Sequence, residues 1–371
     1  MQNPDAVIIG GGLAGLITAL QLSGQGKKVL LLEKKQFPFH KVCGEYVSNE
    51  VLPFLHQLGI YPGQLGAATI SQFVLTSPKG NRLRTPLDLG GFGISRYTLD
   101  HHLYQLALQQ GVTVVQTTVT DVQFIEDQFL VSMTDGLQVQ SPIVVGAYGK
   151  RSTLDRRLER SFFTERSPYL AVKYHVRTQL PKNEITLNNF KDGYAGISAI
   201  EEDKFCFCYL TTRQNLKDHG TIPEMEKHVL QQNPFLKDIF QNSEFLYPQP
   251  EVINEISFAA KNCVENHILM AGDTAGLITP LCGNGMAMAI HSAKLASAQV
   301  LRYLDGQQTR QQMEEAYAQQ WQQQFGARLR TGRWVQRLFG QPVLSELAVG
   351  SLKALPAAVQ LIMRKTHGQP F

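Results

Sequence analysis

Val7-Ile8-Ile9-Gly10-Gly11-Gly12-Leu13-Ala14-Gly15, closing at Leu31-Leu32-Glu33, decides the fold. Ala6 to Ile9 is a short apolar run suited to a parallel strand buried on both faces. Gly10 and Gly12 let the backbone turn sharply and approach a phosphate, and Gly15 lets the next helix pack on the strand. That helix, predicted over Leu13 to Ser23, aims its first N–H groups, around Leu13 and Ala14, at a pyrophosphate. A second strand, Lys28 to Leu32, ends in Glu33, about 20 residues on, where a carboxylate suits ribose hydroxyls and repels a 2′-phosphate. Strand, turn, helix, strand and acid in this order predict a dinucleotide-binding Rossmann unit.

A second glycine cluster stands far down the chain. Ile268-Leu269-Met270-Ala271-Gly272-Asp273 runs on to Pro280-Leu281-Cys282-Gly283-Asn284-Gly285. It is what one expects if the dinucleotide is FAD and its flavin end is gripped by a later stretch of chain. The two clusters make Gly10, Gly12, Leu13, Ala14, Gly15, Glu33, Gly272, Asp273, Pro280, Gly283, Asn284 and Gly285 candidate cofactor residues, and Lys34, Lys41, Arg96, Val119 and Gly149, outside both clusters, complete the candidate set.

The 371 residues suffice for two or three lobes, each with its own core. A net charge of +4, with no basic run interleaved with aromatics, argues against a nucleic-acid partner. No apolar run approaches a membrane span, and a strand beginning at Ala6 leaves no room for a signal peptide. The five cysteines are odd in number and include no CxxC, so a reduced, cytoplasmic setting is expected rather than a disulfide framework. Cys206 and Cys208 alternate along one strand and read as buried filler on a common face.

After Glu33 comes a loop of aromatics and cations, Phe37-Pro38-Phe39-His40-Lys41-Val42-Cys43-Gly44-Glu45-Tyr46. A helix capped by Ser48 is predicted to end near Gly59. Residues 70–94 read as short strands, Tyr97 to Gln110 as a helix, and Val112 to Val115 as a third parallel strand. Three short strands near 118–125, 128–134 and 137–140 precede another buried strand, Ile143 to Gly146. From 166 to 260 the period changes to alternation, as in Tyr169 to Arg177 and Phe205 to Thr212, which predicts an antiparallel sheet. The expected organisation is α/β. A discontinuous Rossmann-like FAD domain (GR2-type; 1–70, 95–165 and 261–306) carries an inserted substrate-binding sheet (71–94 and 166–260) and a helical region (307–371).

These motifs resemble the FAD-dependent oxidoreductases of the aromatic hydroxylase (p-hydroxybenzoate hydroxylase-like) and geranylgeranyl reductase superfamily, over roughly residues 5–305. The resemblance implies that Asp273 binds the ribityl or ribose chain. It also implies that the helix from Asn284 points at the flavin, and that Arg96, after Ser95, lies near the FAD phosphates. His40 to Glu45 resembles the flavin-facing Cys-Gly loop of the reductases. Tyr148 stands where the family usually carries an acid that helps place FAD and nicotinamide. NADH or NADPH as electron donor is thus open to challenge by a donor protein. Halogenases share the scaffold, but neither Trp321 nor Trp334 lies in the Trp-x-Trp-x-x-Pro segment that resemblance would require.

The expected activity is oxidation of a mostly apolar aromatic, polyketide-like or isoprenoid molecule through a flavin hydroperoxide. Reduction or dehydrogenation of carbon–carbon bonds is the alternative, and a non-catalytic escort-type binding protein is the rival from another class. Cys43 is a candidate flavin-adjacent thiol, and Glu45 and Tyr46 are candidate proton donors or acceptors. Tyr194 and Tyr209 are candidates to line the substrate pocket, with packing the competing role. The C-terminal segment from Trp334, with apolar faces and flanking Lys353, Arg364 and Lys365, reads as a helical cap or as a peripheral membrane contact.

Overall fold

The computed structural model describes residues 3–164, 167–254, 256–277, 283–338, 341–354, 359 and 368–371, with the backbone only at 334–338 and 354. The strand Ala6–Ile9 is buried at every position and lies at the centre of a six-stranded sheet. Val29–Glu33 and then Thr113–Gln116 pair in parallel on one side of it. Val144–Gly146 and then Ile268–Met270 pair in parallel on the other, and Val264–Glu265 closes that edge as an antiparallel hairpin strand. Read across the sheet, the parallel strands come third, second, first, fourth and fifth along the chain. The direction of winding therefore reverses between Ala6–Ile9 and Val144–Gly146, and a crevice opens at their carboxyl ends.

The glycine turn sits in that crevice. Gly10 has φ +106, and a Cβ there would lie 2.5 Å from the Ala147 carbonyl oxygen, so no other residue lets the two strand ends come this close. The helix Leu13–Ser23 follows at once, buried on nearly every side, because Gly15 lies directly against the Gly10 carbonyl. The helices Gly285–Leu304 and Arg96–Gln109 pack beside it. A separate three-stranded antiparallel sheet, Val119–Ile125, Gln128–Met133 and Gln138–Ser141, links the third parallel strand to the fourth.

The second large sheet has nine strands. Tyr169–Arg177, Phe205–Thr212, Gly193–Ala199 and Glu184–Phe190 are consecutive antiparallel neighbours, with Glu244–Phe245 and Glu251–Asn254 on the outer strand. Ala68–Thr76, Arg82–Gly93 and Tyr46–Ser48 complete the other end. Two features differ from the sequence reading. Glu184–Phe190 pairs in parallel with Ala68–Thr76, because distant parts of the chain meet there and no hairpin turn imposes the direction. The sheet also takes in Tyr46–Ser48, a three-residue strand too short to show a pattern, and the first residues of Ala68–Thr76, both inside the 1–70 stretch assigned from sequence to the first lobe.

Three helices, Arg213–His219, Ile222–His228 and Pro234–Asn242, were read from sequence as part of a sheet. Their signals were Thr212, Thr221 and Asn233, which accept N-cap hydrogen bonds, with Pro223 and Pro234 in the first turn. They cover one face of the large sheet, where Tyr174, Phe207 and Tyr209 are buried. Tyr209 donates to Glu226 (2.7 Å) on that side, away from the loop before Tyr46, so it does not serve the crevice. The opposite face carries Lys173, His175, Cys206, Cys208 and Tyr194, and looks toward the Rossmann sheet. Helices Arg310–Leu338 and Pro342–Ala354 follow the second glycine cluster, and no described helix is long and apolar enough to cross a membrane.

A Cβ on Gly15 would sit 1.9 Å from the Gly10 carbonyl oxygen, a backbone atom that cannot swing aside. Gly15→Ala is therefore expected to cost about 1–3 kcal/mol or more through overpacking. A thermal midpoint equal to that of the parent would show that the turn and helix are not locked together.

Candidate functional site

Gly12 lies where a phosphate would come. The nearest heavy atoms to a Cβ built on it are Arg96 Nη2 at 3.6 Å and Lys41 Nζ at 3.8 Å, both side-chain cations. Arg96 opens the helix Arg96–Gln109, whose N-cap Ser95 accepts from Thr98 N (3.1 Å). Its guanidinium grips Asp100, one turn on, through Nε and Nη2 at 2.7 Å each. Lys41 Nζ donates to Asp100 (2.9 Å) and to the Gly11 carbonyl (3.3 Å). Burial alone would raise the Asp100 carboxyl, but Arg96 and Lys41 outweigh it and hold it below its ordinary value. Two cations against one anion leave a net positive charge beside the N-terminus of Leu13–Ser23, and a pyrophosphate fits that donor set. Asp100 escaped the sequence reading, although its spacing of four from Arg96 was the available signal.

Glu33 ends its strand almost fully buried. Its carboxylate accepts from Gly11 N (2.7 Å) and Lys35 N (3.0 Å), so it holds the glycine turn against the strand end. Lys34 beside it is exposed. Val119 is buried at the start of its strand, two residues after Thr117, whose N–H bonds the Glu33 carbonyl.

The two glycine clusters meet. A Cβ on Gly272 would lie 3.0 Å from Ala14 Cβ, and Gly272 N donates to Ser292 Oγ (2.8 Å) on the helix Gly285–Leu304. Gly149 N donates to Thr274 Oγ1 (2.8 Å), which ties the fourth strand end to the same turn. Asp273 is half-buried, and its carbonyl accepts from Lys261 Nζ (2.9 Å). Asn284 stands at the N-cap position of the helix Gly285–Leu304, is fully buried, and turns its side chain to Glu50 rather than to the helix N–H groups. Pro280 and Cys282 lie outside the described residues.

Glu45 organises the other side of the site. It is fully buried and adopts φ +55, a conformation that a side-chain-bearing residue keeps only when its surroundings enforce it. Its Oε1 accepts from Arg96 N (2.8 Å) and Lys173 Nζ (2.5 Å), and its Oε2 is 2.6 Å from His175 Nε2. Burial pushes the carboxyl up, but Lys173 and His175 prevail and hold it at about 2. Lys173 is itself fully buried; burial favours the neutral amine, yet Glu45 keeps the ammonium above its usual value. The preceding loop is pinned to the sheet by Lys173 Nζ on the Lys41 carbonyl (3.2 Å), Cys206 Sγ on the Cys43 carbonyl (3.2 Å) and Ser198 Oγ on the Gly44 carbonyl (3.4 Å).

Lys173 and His175 were not singled out from sequence. Their signal was polar residues at alternate positions of a strand whose remaining interior is apolar. Glu45, His175 and Cys206 come close enough to share a metal ion. The ammonium of Lys173 already supplies the positive charge there, and burial drives the Cys206 thiol well above its usual value, so it stays protonated.

The remaining candidates fall into place around this core. Cys43 is half-buried with a free thiol. Tyr46 is wedged between Gly91 and Gly283, and burial raises its hydroxyl far above the ordinary range, which suits packing better than proton exchange. Tyr194 is buried in an apolar group with Leu75, Leu187, Leu210, Ile256 and Val349. Tyr148 turns its hydroxyl to Met270 Sδ (3.6 Å).

A family model described as an FAD binding domain matches residues 3–325. The chain belongs to that family. It is an FAD-dependent oxidoreductase-family flavoprotein. Among its relatives, digeranylgeranylglycerophospholipid reductase 2 of Methanopyrus kandleri is 23% identical over 384 residues, covering 98% of this chain and 93% of its own. The 1H-pyrrole-2-carbonyl-[peptidyl-carrier protein] brominase of Pseudoalteromonas luteoviolacea is 24% identical, covering 82% and 79%. Among solved structures, a flavin-dependent brominase superposes with a TM-score of 0.81 at 19% identity, over 98% of this flavoprotein and 93% of that chain. At that identity the likeness speaks for the fold alone.

The Glu45 carboxyl is held below its ordinary value of 4.5, so its contribution to stability is present above that value and is lost as pH falls toward about 2. Glu45→Gln leaves Lys173 buried without its counter-charge and is expected to cost about 3–5 kcal/mol at neutral pH. Urea unfolding at pH 7 and pH 3 checks this. The gap between parent and variant should narrow at the lower pH, and a gap independent of pH would contradict the assignment.

Proposed function

We propose that this flavoprotein is an FAD-dependent monooxygenase of a mostly apolar small molecule, aromatic, polyketide-like or isoprenoid. The observation that carries the reading is what lies on the two sides of the loop ending at Tyr46. On one side stand Lys41, Arg96 and the glycine turn, a polar cradle for a dinucleotide phosphate. On the other is a sheet face where the buried Leu187, Tyr194 and Leu210 form an apolar patch beside the buried Lys173 and His175. Polar recognition of a cofactor next to an apolar, water-poor wall is what oxygen transfer to a lipophilic substrate requires.

FAD, when bound, supplies the redox and oxygen-transfer chemistry. Lys41, Arg96 and the N-terminus of Leu13–Ser23 would hold its pyrophosphate, and Glu33 its ribose. Asp273, Gly283 and the N-terminus of Gly285–Leu304 would take the flavin end, where the helix dipole favours negative charge. The apolar sheet face would orient the substrate and exclude water. Tyr148 occupies the position of the family's acid with its hydroxyl on Met270, which supports a transient site for NADH or NADPH, or a donor protein, over a built nicotinamide pocket. The helix Pro342–Ala354 exposes Val343, Leu344 and Leu347, which supports a peripheral membrane contact as the route for a lipophilic substrate.

Reduction of a carbon–carbon bond is the second reading. The Cys43-Gly44 segment is held rigidly on the sheet through both carbonyls, and relatives named as reductases match over nearly the whole chain. Oxygen use separates the two. The flavoprotein is reduced anaerobically by NADH, NADPH or dithionite and then mixed with candidate substrates, with and without O2. Product formation matched by O2 consumption is the expected result. Reoxidation of the flavin by substrate alone would establish the reductase.

Arg96→Ala removes a cradle cation and is expected to weaken FAD binding at least about tenfold, or about 1.4 kcal/mol. Equilibrium dialysis against FAD measures it. An unchanged affinity would place the pyrophosphate elsewhere.

A further inference from the structure

Beyond Glu45, the hydrogen bonds continue outward. His175 Nε2 faces Glu45 Oε2 at 2.6 Å, and His175 Nδ1 lies 2.7 Å from the Tyr247 hydroxyl. The same hydroxyl is 3.1 Å from His40 Nδ1. His40 is half-buried and stacks on the ring of Tyr97 (4.7 Å), which is 40% exposed. An unbroken line of polar atoms thus runs from the surface to a carboxylate that no water reaches.

Its polarity follows from chemistry. An ionised Glu45 only accepts, so His175 Nε2 carries a hydrogen and donates. Nδ1 of a neutral His175 then accepts from Tyr247, and the Tyr247 oxygen is left to accept from His40. Every donor points inward. We propose that His40, Tyr247 and His175 form a proton relay between solvent and the buried Glu45–Lys173 pair beneath the loop before Tyr46. In one passage His40 passes its Nδ1 hydrogen to the Tyr247 oxygen. Tyr247 gives its own to His175 Nδ1, and His175 gives its Nε2 hydrogen to Glu45 Oε2. His40 regains a proton from water, so one proton crosses and no electrons move.

The surroundings suit the task. Lys173, Glu45, Glu251, Glu201 and Cys206 are the charged or titratable groups that face the relay. Burial, and then the charge of Lys173, keep His40 below its ordinary value, so near neutral pH its imidazole is free to take a proton and pass it on. At rest Lys173 keeps Glu45 ionised. Negative charge arriving above the loop would offset that ammonium and draw the proton in. That last use rests on the proposed flavin chemistry, whereas the relay itself does not.

The test therefore has two arms. In the first, NMR measures exchange of the His175 ring N–H with water, in protein with or without FAD. Tyr247→Phe and His40→Ala are expected to slow it by about tenfold or more, the low end of what a positioned proton carrier contributes. Added imidazole should restore exchange in His40→Ala, a rescue that a purely structural histidine would not show. Exchange as fast as in the parent protein in either variant overturns the relay. The second arm follows proton uptake by a pH-indicator dye as bound FAD is photoreduced. Slower uptake in Tyr247→Phe, at unchanged FAD affinity, ties the relay to the redox reaction. Unchanged uptake alongside slowed ring exchange overturns that tie and leaves the relay standing. A protein that binds no FAD overturns the proposed function, while the first arm still decides the relay.

Discussion

The Glu45 carboxylate joins three parts of the molecule that are remote in sequence. Through Oε1 it caps the first N–H of the helix Arg96–Gln109 and meets the ammonium of Lys173, and through Oε2 it meets His175. Removing a carboxylate and an ammonium from water costs several kcal/mol per ion, and mutual attraction offsets it only when the remaining hydrogen-bonding capacity is filled. Here most of it is used: Lys173 also reaches the Lys41 carbonyl, and Glu45 accepts three donors. An apolar pair could pack there with equal stability, but it could not fix the loop from Lys41 to Tyr46 in one conformation. The positive φ of Glu45 marks a local cost that these bonds offset.

The same helix receives a second carboxylate. Glu201, at the end of the strand Gly193–Ala199, accepts from Ser95 N (2.8 Å) and Thr98 Oγ1 (2.8 Å) and also bonds the Ser95 hydroxyl. Two negative groups, one from the loop and one from the large sheet, thus meet the positive end of the Arg96–Gln109 dipole. Helix and sheet are held by charge at one point, rather than by broad apolar contact alone. Arg96 is thereby placed with its side chain toward Gly12 and its backbone toward Glu45.

How much of this was legible in the sequence follows the range of the interactions. The strand Ala6–Ile9, the helix Leu13–Ser23 and the strands Tyr169–Arg177 and Phe205–Thr212 stand where local pattern placed them, since burial on both faces, glycine spacing and alternation are written in adjacent residues. The contact of Gly272 with Ala14 was implied by two glycine clusters that make sense only together. Lys173 and His175 were legible only as polar breaks in an apolar strand; what they and Tyr247 bind was not, because their partners stand in a loop more than a hundred positions away that no periodicity connects to them. The parallel pairing of Glu184–Phe190 with Ala68–Thr76 was hidden for the same reason. The helices of 213–242 were legible from their caps and were missed because alternation in the flanking strands was extended through them.

Arg96 makes the cofactor cradle and the buried cluster one mechanical unit. Its guanidinium is bound to Asp100 at 2.7 Å, and its backbone N–H is 2.8 Å from Glu45. Both bonds hang on the first residue of one helix, so a shift of that N-terminus toward a bound phosphate is carried to Glu45. Lys41 doubles the link, since its side chain reaches Gly11 and Asp100 while its carbonyl holds Lys173. An anion that draws Lys41 and Arg96 toward Gly12 therefore pulls on Arg96 N and, through the Lys41 carbonyl, on Lys173, two of the three donors to Glu45. The phosphate cradle and the proposed substrate face lie on opposite sides of one loop, and Lys41, Arg96 and Glu45 link them by hydrogen bonds.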